Sequence, residues 1–203
     1  AIDGKLYVVG GWNGTDFTPA LEVYDPATNT WSTKANMPTP RFTPAAVAID
    51  GKLYVVGGRN VDDTGRKCDD TGHVLEVYDP VTDTWSTKAN MPTGRHGLAA
   101  VPIFGLLYAV GGQNSQGLSK KLEVYDPVTD DWSTLDDMST ARRWLAAAAI
   151  DGKIYAAGGE LSADDTYCHL LPLFATICQF LPFFATFCHF LPLFATFCLF
   201  CHF

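Results

Sequence analysis

A 47-residue internal repeat governs what this chain can fold into. The pair Gly-Gly occurs at 10–11, 57–58, 111–112 and 158–159, each time closing an apolar run: LYVVGG, LYVVGG, LYAVGG and IYAAGG. LEVYDP follows at 21–26, 75–80 and 122–127, and a Trp stands five residues beyond each of these prolines: Trp31, Trp85 and Trp132. From each Trp to the next Gly-Gly is 26 residues; from the second Gly to the Trp is 20, 27 and 20 residues. The second copy therefore carries seven extra residues between Gly58 and Leu75, and an insertion confined to one place marks a surface loop. Units of this length cannot bury an apolar face alone and must stack on their neighbours.

Each copy resolves into four short strands. The first follows Arg41, Arg95 or Arg142, as in TPAAVAI over 43–49. Asp50-Gly51 and Asp151-Gly152 predict two-residue hairpin turns with positive φ, and Phe104-Gly105 takes that place in the third copy. The second strand is the run that ends in Gly-Gly. The third is LEVYD, in which Leu21, Val23 and Asp25 alternate with Glu22 and Tyr24. A turn led by Asp-Pro follows, with Asn29, Asp83 or Asp130 at a place that tolerates a left-handed backbone. The fourth strand begins at the Trp. Without Cβ atoms, Gly10, Gly11, Gly57, Gly58, Gly111, Gly112, Gly158 and Gly159 are expected to let a neighbouring aromatic ring lie close. Tyr24, Tyr78, Tyr125, Trp31, Trp85 and Trp132 are the expected rings, packed between adjacent sheets.

Gly-Gly after an apolar strand, then Tyr-Asp-Pro, then Trp, resembles the kelch repeat over residues 1 to about 160. The resemblance implies an all-β fold: a partial, open β-propeller of about three four-stranded blades. The expected divisions are a partial blade at 1–40, blades at 41–94 and 95–141, and a partial blade at 142–160. A chain of thirteen such strands is read as a fragment of a larger propeller, with open blade edges prone to self-association.

Residues 161–203 form a hydrophobic tail of another kind. From Cys168 the sequence repeats every ten residues: CHLLPLFATI, CQFLPFFATF, CHFLPLFATF. All 36 charged residues precede Cys168. The uncharged stretch is long enough to span a bilayer as a helix, but Pro172, Pro182 and Pro192 would break one. The readings are a membrane segment, which would make a membrane-tethered propeller, and the translation of a tandem nucleotide repeat. Cys198 and Cys201 form a CxxC whose spacing follows the ten-residue period, so no metal site is assigned.

A net charge of -8 argues against a nucleic-acid partner. No nucleophile elbow, phosphate loop or HExxH motif is present, and no cofactor is expected. The resemblance implies a non-catalytic scaffold that binds a protein or peptide. The alternative is a fragment of an extracytoplasmic carbohydrate-related or oxidase-like kelch enzyme, and compartment is left open with a lean towards the extracytoplasmic or membrane-associated. In some kelch adaptors an Arg at the motif position faces the propeller mouth and grips acidic peptides. That makes Arg41, Arg95 and Arg142 binding candidates, since guanidinium groups pair with carboxylates through two parallel hydrogen bonds; the alternative is that they pair with local acids. The loops between second and third strands add Trp12 and Asn13, Arg59 and Asn60, and Gln113 and Asn114. Asp62, Asp63, Asp69 and Asp70 in the inserted loop match no calcium-loop spacing.

Overall fold

Every strand expected from the repeat forms, and the sheets follow the copies one by one. The computed structural model describes residues 1–61, 67–68 and 72–161. Residues 62–66 and 69–71 of the inserted loop, which include its four aspartates, and the repetitive tail with its Cys and Pro residues lie outside the described residues. The chain divides into two units, Ala1–Asp165 and Thr166–Phe203, and all the strands named below belong to the first.

The first sheet holds β1 (Leu6–Val9), β2 (Leu21–Asp25) and β3 (Thr30–Lys34). The second holds β4 (Ala45–Ile49) and β5 (Lys52–Val56), followed, after the small hairpin β6 (Asn60–Val61) and β7 (Lys67–Cys68), by β8 (Leu75–Asp79) and β9 (Thr84–Thr87). The third repeats this plan with β10 (Ala99–Ile103), β11 (Leu106–Val110), the hairpin β12 (Gln113–Asn114) and β13 (Gly117–Leu118), then β14 (Leu122–Asp126) and β15 (Asp131–Thr134). The last has β16 (Ala146–Ile150) and β17 (Lys153–Ala157). All pairings within these sheets are antiparallel, and the register repeats: Leu6, Leu53 and Leu107 stand opposite Tyr24, Tyr78 and Tyr125. The architecture is that of an all-β propeller built from consecutive blades.

Turn chemistry explains why the strands reverse where they do. Asp50-Gly51, Phe104-Gly105 and Asp151-Gly152 all have positive φ at both positions, as a tight hairpin requires. Asn29, Asp83 and Asp130 share a φ of 54°. The leading aspartates close the other turn locally: Asp25, Asp79 and Asp126 accept the backbone N–H two residues ahead, at 2.8–2.9 Å.

The cores lie between neighbouring sheets. One joins the first and second through Leu21, Met37, Leu53, Val55 and Tyr78, and another joins the second and third through Val47, Tyr54, Val77, Met91, Leu107, Tyr125 and Trp132. A polar clasp binds each sheet to its predecessor. The Trp85 indole donates to the carbonyl of Ala35 (2.8 Å), while the Ala35 N–H donates to Asp83 (3.0 Å), which also accepts the Tyr78 hydroxyl (2.7 Å). Trp132, Ala89, Asp130 and Tyr125 repeat the arrangement at 2.8, 3.0 and 2.7 Å. The donated backbone N–H and the tyrosine hydroxyl hold the Asp83 and Asp130 carboxyls below their ordinary value, and burial with these partners pushes the Tyr78 and Tyr125 hydroxyls up. Trp31 differs: it packs on Tyr24 at 5.2 Å, as the other tryptophans do on their tyrosines, yet it is 55% exposed where Trp132 is 9% exposed. No described sheet lies on its open side, so its place in an inter-sheet core is unfilled.

The glycine pairs require one correction. The close neighbour of the first glycine is a backbone carbonyl of the next blade, not a ring. A Cβ on Gly10, Gly57 or Gly111 would stand 2.9, 2.6 or 2.7 Å from the carbonyl oxygen of Arg41, Arg95 or Arg142. The second glycine then donates its N–H to that same oxygen, at 2.9, 3.1 and 2.8 Å. The pair thus hydrogen-bonds one blade to the next through the main chain.

Candidate partner-binding face

The constant Arg of each repeat points inward. Arg41 and Arg95 are fully buried, each paired with a buried glutamate of the third strand in its own sheet: Arg41 with Glu76 at 2.8 Å, Arg95 with Glu123. The preceding threonine completes the grip, since Thr39 and Thr93 donate to the other carboxylate oxygen at 2.8 and 2.7 Å. Arg41 also donates to the carbonyls of Gly57 and Val74, and Arg95 to that of Ala109. Burial pulls both guanidinium groups down from their ordinary value while the glutamate opposes that shift. The expectation that these two arginines meet a partner is therefore corrected: both guanidinium groups are buried in the blade and paired with its own glutamate, the local-acid alternative. Arg142 is half-buried and donates to the Gly158 carbonyl at 3.0 Å.

The two positions after each constant Arg emerge at one end of the sheets. The first pairs by two backbone hydrogen bonds with the residue that follows Gly-Gly: Phe42 with Arg59, His96 with Gln113, Arg143 with Glu160. The second, Thr43, Gly97 or Trp144, has positive φ of 49°, 61° or 53°. These backbones link successive blades, because Gly97 donates to the Thr43 carbonyl (3.1 Å) and Trp144 to that of Gly97 (2.7 Å). Holding a β-branched Thr or a Trp left-handed stores strain of about 1–3 kcal/mol, which the inter-blade bonds must offset.

Side chains at and beside these positions form two aromatic and cationic clusters, the second built on a buried Arg143. Phe17 stacks on Phe42 with centroids 5.5 Å apart, and the Arg59 guanidinium lies 5.6 Å from the Phe42 ring. Arg143 lies 4.1 Å from the Trp144 ring, bonds Glu160 at 2.7 Å and reaches Gln113. The Trp144 ring crosses to the neighbouring blade over Gly97, where a Cβ would stand 2.8 Å from it. Trp12 and Trp144 are 60% and 53% exposed, large apolar surfaces on a rigid support.

The loop candidates divide by role. Trp12 is open, and Arg59 faces Phe42 with its Nε buried and unbonded among the described residues. Asn13 accepts the N–H groups of Thr15 and Asp16, and Asn114 that of Gln116, so both shape their loops. Gln113 is engaged by Arg143, and Asn60 lies in the β6 hairpin. Phe42, Arg143, Trp144 and Glu160 were not singled out from the sequence. Their signal was variation: the constant Arg is followed by Phe-Thr, His-Gly and Arg-Trp in successive copies. Among the described residues no group of three or more His, Cys, Asp or Glu side chains is placed to hold a metal ion.

Comparison with known proteins agrees with this architecture. The model of the KLHDC2/KLHL20/DRC7 kelch-repeats domain matches residues 1–159. Kelch-like protein 35 of Mus musculus is 33% identical over 116 residues, 57% of this chain and 19% of that protein. Kelch-like ECH-associated protein 1B of Danio rerio is 34% identical over 109 residues, 54% of this chain and 18% of its own length. The chain thus spans about a fifth of these relatives. The solved structure of YjhT superposes with a TM-score of 0.67 at 23% identity, over 78% of this chain and 56% of that one, and shares the fold. A family match over residues 1–159, with blade motifs that recur at fixed spacing, places this chain in the kelch-repeat family.

Proposed function

We propose that this chain is a non-catalytic protein-interaction module that receives a protein or peptide on the face formed by Trp12, Phe17, Phe42, Arg59, Arg143 and Trp144. The observation that carries this reading is that the two positions after a constant buried Arg change from copy to copy, while Trp12 and Trp144 stand more than half exposed beside them. Rings and guanidinium groups gathered on a pre-formed surface supply the side-chain types that dominate binding energy, with little ordering entropy to lose. Names among the relatives, such as the ECH-associated protein, agree with a binding role.

The test is selection of peptides from a random displayed library on the full chain, followed by calorimetry with the enriched peptides. Trp144→Ala and Arg59→Ala are expected to weaken binding at least about tenfold each, the usual scale for an interface anchor. Val128→Ala, at an exposed turn outside this face, is the control. Affinities untouched by both site variants count against the reading.

A further inference from the structure

Asn13, which shapes its loop without lining the proposed face, carries chemistry of its own. The chain has six asparagines, and only Asn13 precedes a glycine. Asn29, Asn36, Asn60, Asn90 and Asn114 precede Thr, Met, Val, Met and Ser, whose side chains crowd the peptide nitrogen that follows the asparagine. Gly14 leaves that nitrogen open. It is exposed, its φ is 101°, and nothing lies within 4 Å of the place a Cβ would take. Its N–H has no acceptor among the described residues. The Asn13 side chain, by contrast, is held. Its Oδ1 accepts the N–H of Thr15 at 2.9 Å and that of Asp16 at 2.8 Å. The main chain braces this arrangement: the Asn13 N–H donates to the Asp16 carbonyl (3.1 Å), the Thr18 N–H to that of Gly11 (3.0 Å), and Trp12 is bridged to Phe17.

Two backbone donors aimed at one carbonyl oxygen form an oxyanion hole. They draw electrons from the side-chain carbon and stabilise the negative charge its oxygen takes on when a nucleophile adds. The Gly14 nitrogen, one residue ahead, is the nucleophile that closes a succinimide ring on that carbon. We infer that Asn13 is a self-modification site that converts to aspartate and isoaspartate with water as the only co-reactant. The Gly14 nitrogen gives its proton to water and bonds to the Asn13 Cγ, and the charge passes to Oδ1 under the N–H groups of Thr15 and Asp16. As the carbonyl re-forms, the Cγ–Nδ2 bond breaks, and Nδ2 takes up a proton and leaves as ammonia. Water then opens the ring. Addition at Cγ restores the ordinary main chain with an aspartate side chain; addition at the Asn13 main-chain carbonyl carbon leaves the chain running through Cγ as isoaspartate. The sum consumes one water and releases one ammonia, with no change of oxidation state.

Asn114 takes the same loop place in the third blade and provides the comparison. Its Oδ1 accepts one N–H, that of Gln116 at 3.0 Å, and Ser115 follows it, so it has half the hole and a hindered nucleophile. The Asn29 Oδ1 accepts the Tyr24 hydroxyl instead, and the β-branched Thr30 follows. At Asn13 alone the open nitrogen and the paired donors coincide. Conversion there puts a negative charge into the loop that carries Trp12 and Phe17, and isoaspartate also lengthens that loop by one main-chain methylene. The chemistry is independent of the partner proposed above.

The experiment ages the full chain at neutral pH in water enriched in heavy oxygen, with mild detergent to keep the apolar tail dispersed. Peptide mass spectrometry then follows each asparagine, and an isoaspartyl methyltransferase assay reports the branched product. Asn13 is expected to take up the label ahead of the other five, with both products present. Gly14→Ala, which crowds the nucleophile, should slow the conversion at least about tenfold. A second arm ages the chain unfolded in guanidinium chloride, which keeps the Asn-Gly pair and removes the fixed donors of Thr15 and Asp16. Conversion there should be slower by about threefold or more, the scale of a lost hydrogen bond to the transition state. An Asn13 that stays intact in the folded chain overturns the proposal. So does one that converts as fast or faster when unfolded, or a Gly14→Ala chain that converts at the wild-type rate.

Discussion

The constant Arg and the two residues after it are chain neighbours with different partners: the Arg bonds within its own sheet, the next two residues bond from sheet to sheet or to the loop after Gly-Gly. Arg41 and Arg95 turn into the sheet and are sealed with Glu76 and Glu123, while Phe42, Thr43, His96 and Gly97 line the edge where blades meet the candidate face. A repeat keeps the residues that hold its blades together and varies the ones beside them, so invariance between copies marks framework, and the proposed function assigns the variation to recognition. Breaking the framework should therefore hurt folding far more than altering the face. Replacing Arg95 by Met leaves Glu123 buried without its cation and is expected to destabilise by about 3–5 kcal/mol. Adding Glu123→Met should recover most of that loss, because a buried ion pair exchanged for apolar packing is often neutral. Trp144→Ala on the face should change the denaturation midpoint far less. Urea unfolding of the four proteins checks the order, and an Arg95→Met variant as stable as Trp144→Ala would end the distinction.

The clasp between sheets sharpens the contrast under acid. Asp83 and Asp130 have carboxyls held below the usual value, first by the N–H of Ala35 or Ala89 and then by a tyrosine hydroxyl. A group with a depressed folded value stabilises fully above its unfolded value, about 3.9, and loses that contribution as pH falls through the folded one. Stability from this source should be flat from pH 7 to about 5 and fall below about 4. The double variant Asp83→Asn/Asp130→Asn should fall less steeply, and Asn29 shows that the same left-handed turn accepts Asn. Melting temperature against pH for the two proteins is the measurement; parallel curves would remove the clasp as an acid-sensitive element.

Strand number, hairpin positions and repeat register were legible because they depend on local chemistry: alternation in LEVYD, Asp-Gly turns, Asp-Pro turns. The glycine pairs were legible as a place of close approach, but the approaching group was not. A carbonyl of the next blade leaves no mark on composition, since every residue has one. The fate of Arg41 and Arg95 depended on a partner 35 or 28 residues away. Both members of each pair recur in successive copies, and the difference of seven between those separations equals the insertion in the second copy. That coincidence was readable, and it outweighs the resemblance to kelch adaptors in which the motif Arg grips an acidic peptide. The candidate face was the least legible part, because Phe17 meets Phe42 and Trp144 meets Gly97 only when the blades from separate copies stack.

The smallest effect concerns the one copy whose hairpin departs from the others. Phe104 holds a φ of 49° with its side chain 90% exposed, at the place where Asp50 and Asp151 hold 48° and 50°. Phe is poorly suited to a left-handed backbone, and its ring gains little here beyond a contact near Gly152. Asp has a short polar side chain that tolerates this conformation. Phe104→Asp should therefore stabilise the third blade by roughly 0.5–1 kcal/mol, within the usual gain for relieving one strained surface position. Asp50→Phe, the reverse change in the second blade, should destabilise by a similar amount, with no loss at the candidate face at the other end of the sheets. If Phe104→Asp instead lowers stability, the Phe104 ring carries packing that its exposure conceals, and the hairpins are not equivalent parts of the framework.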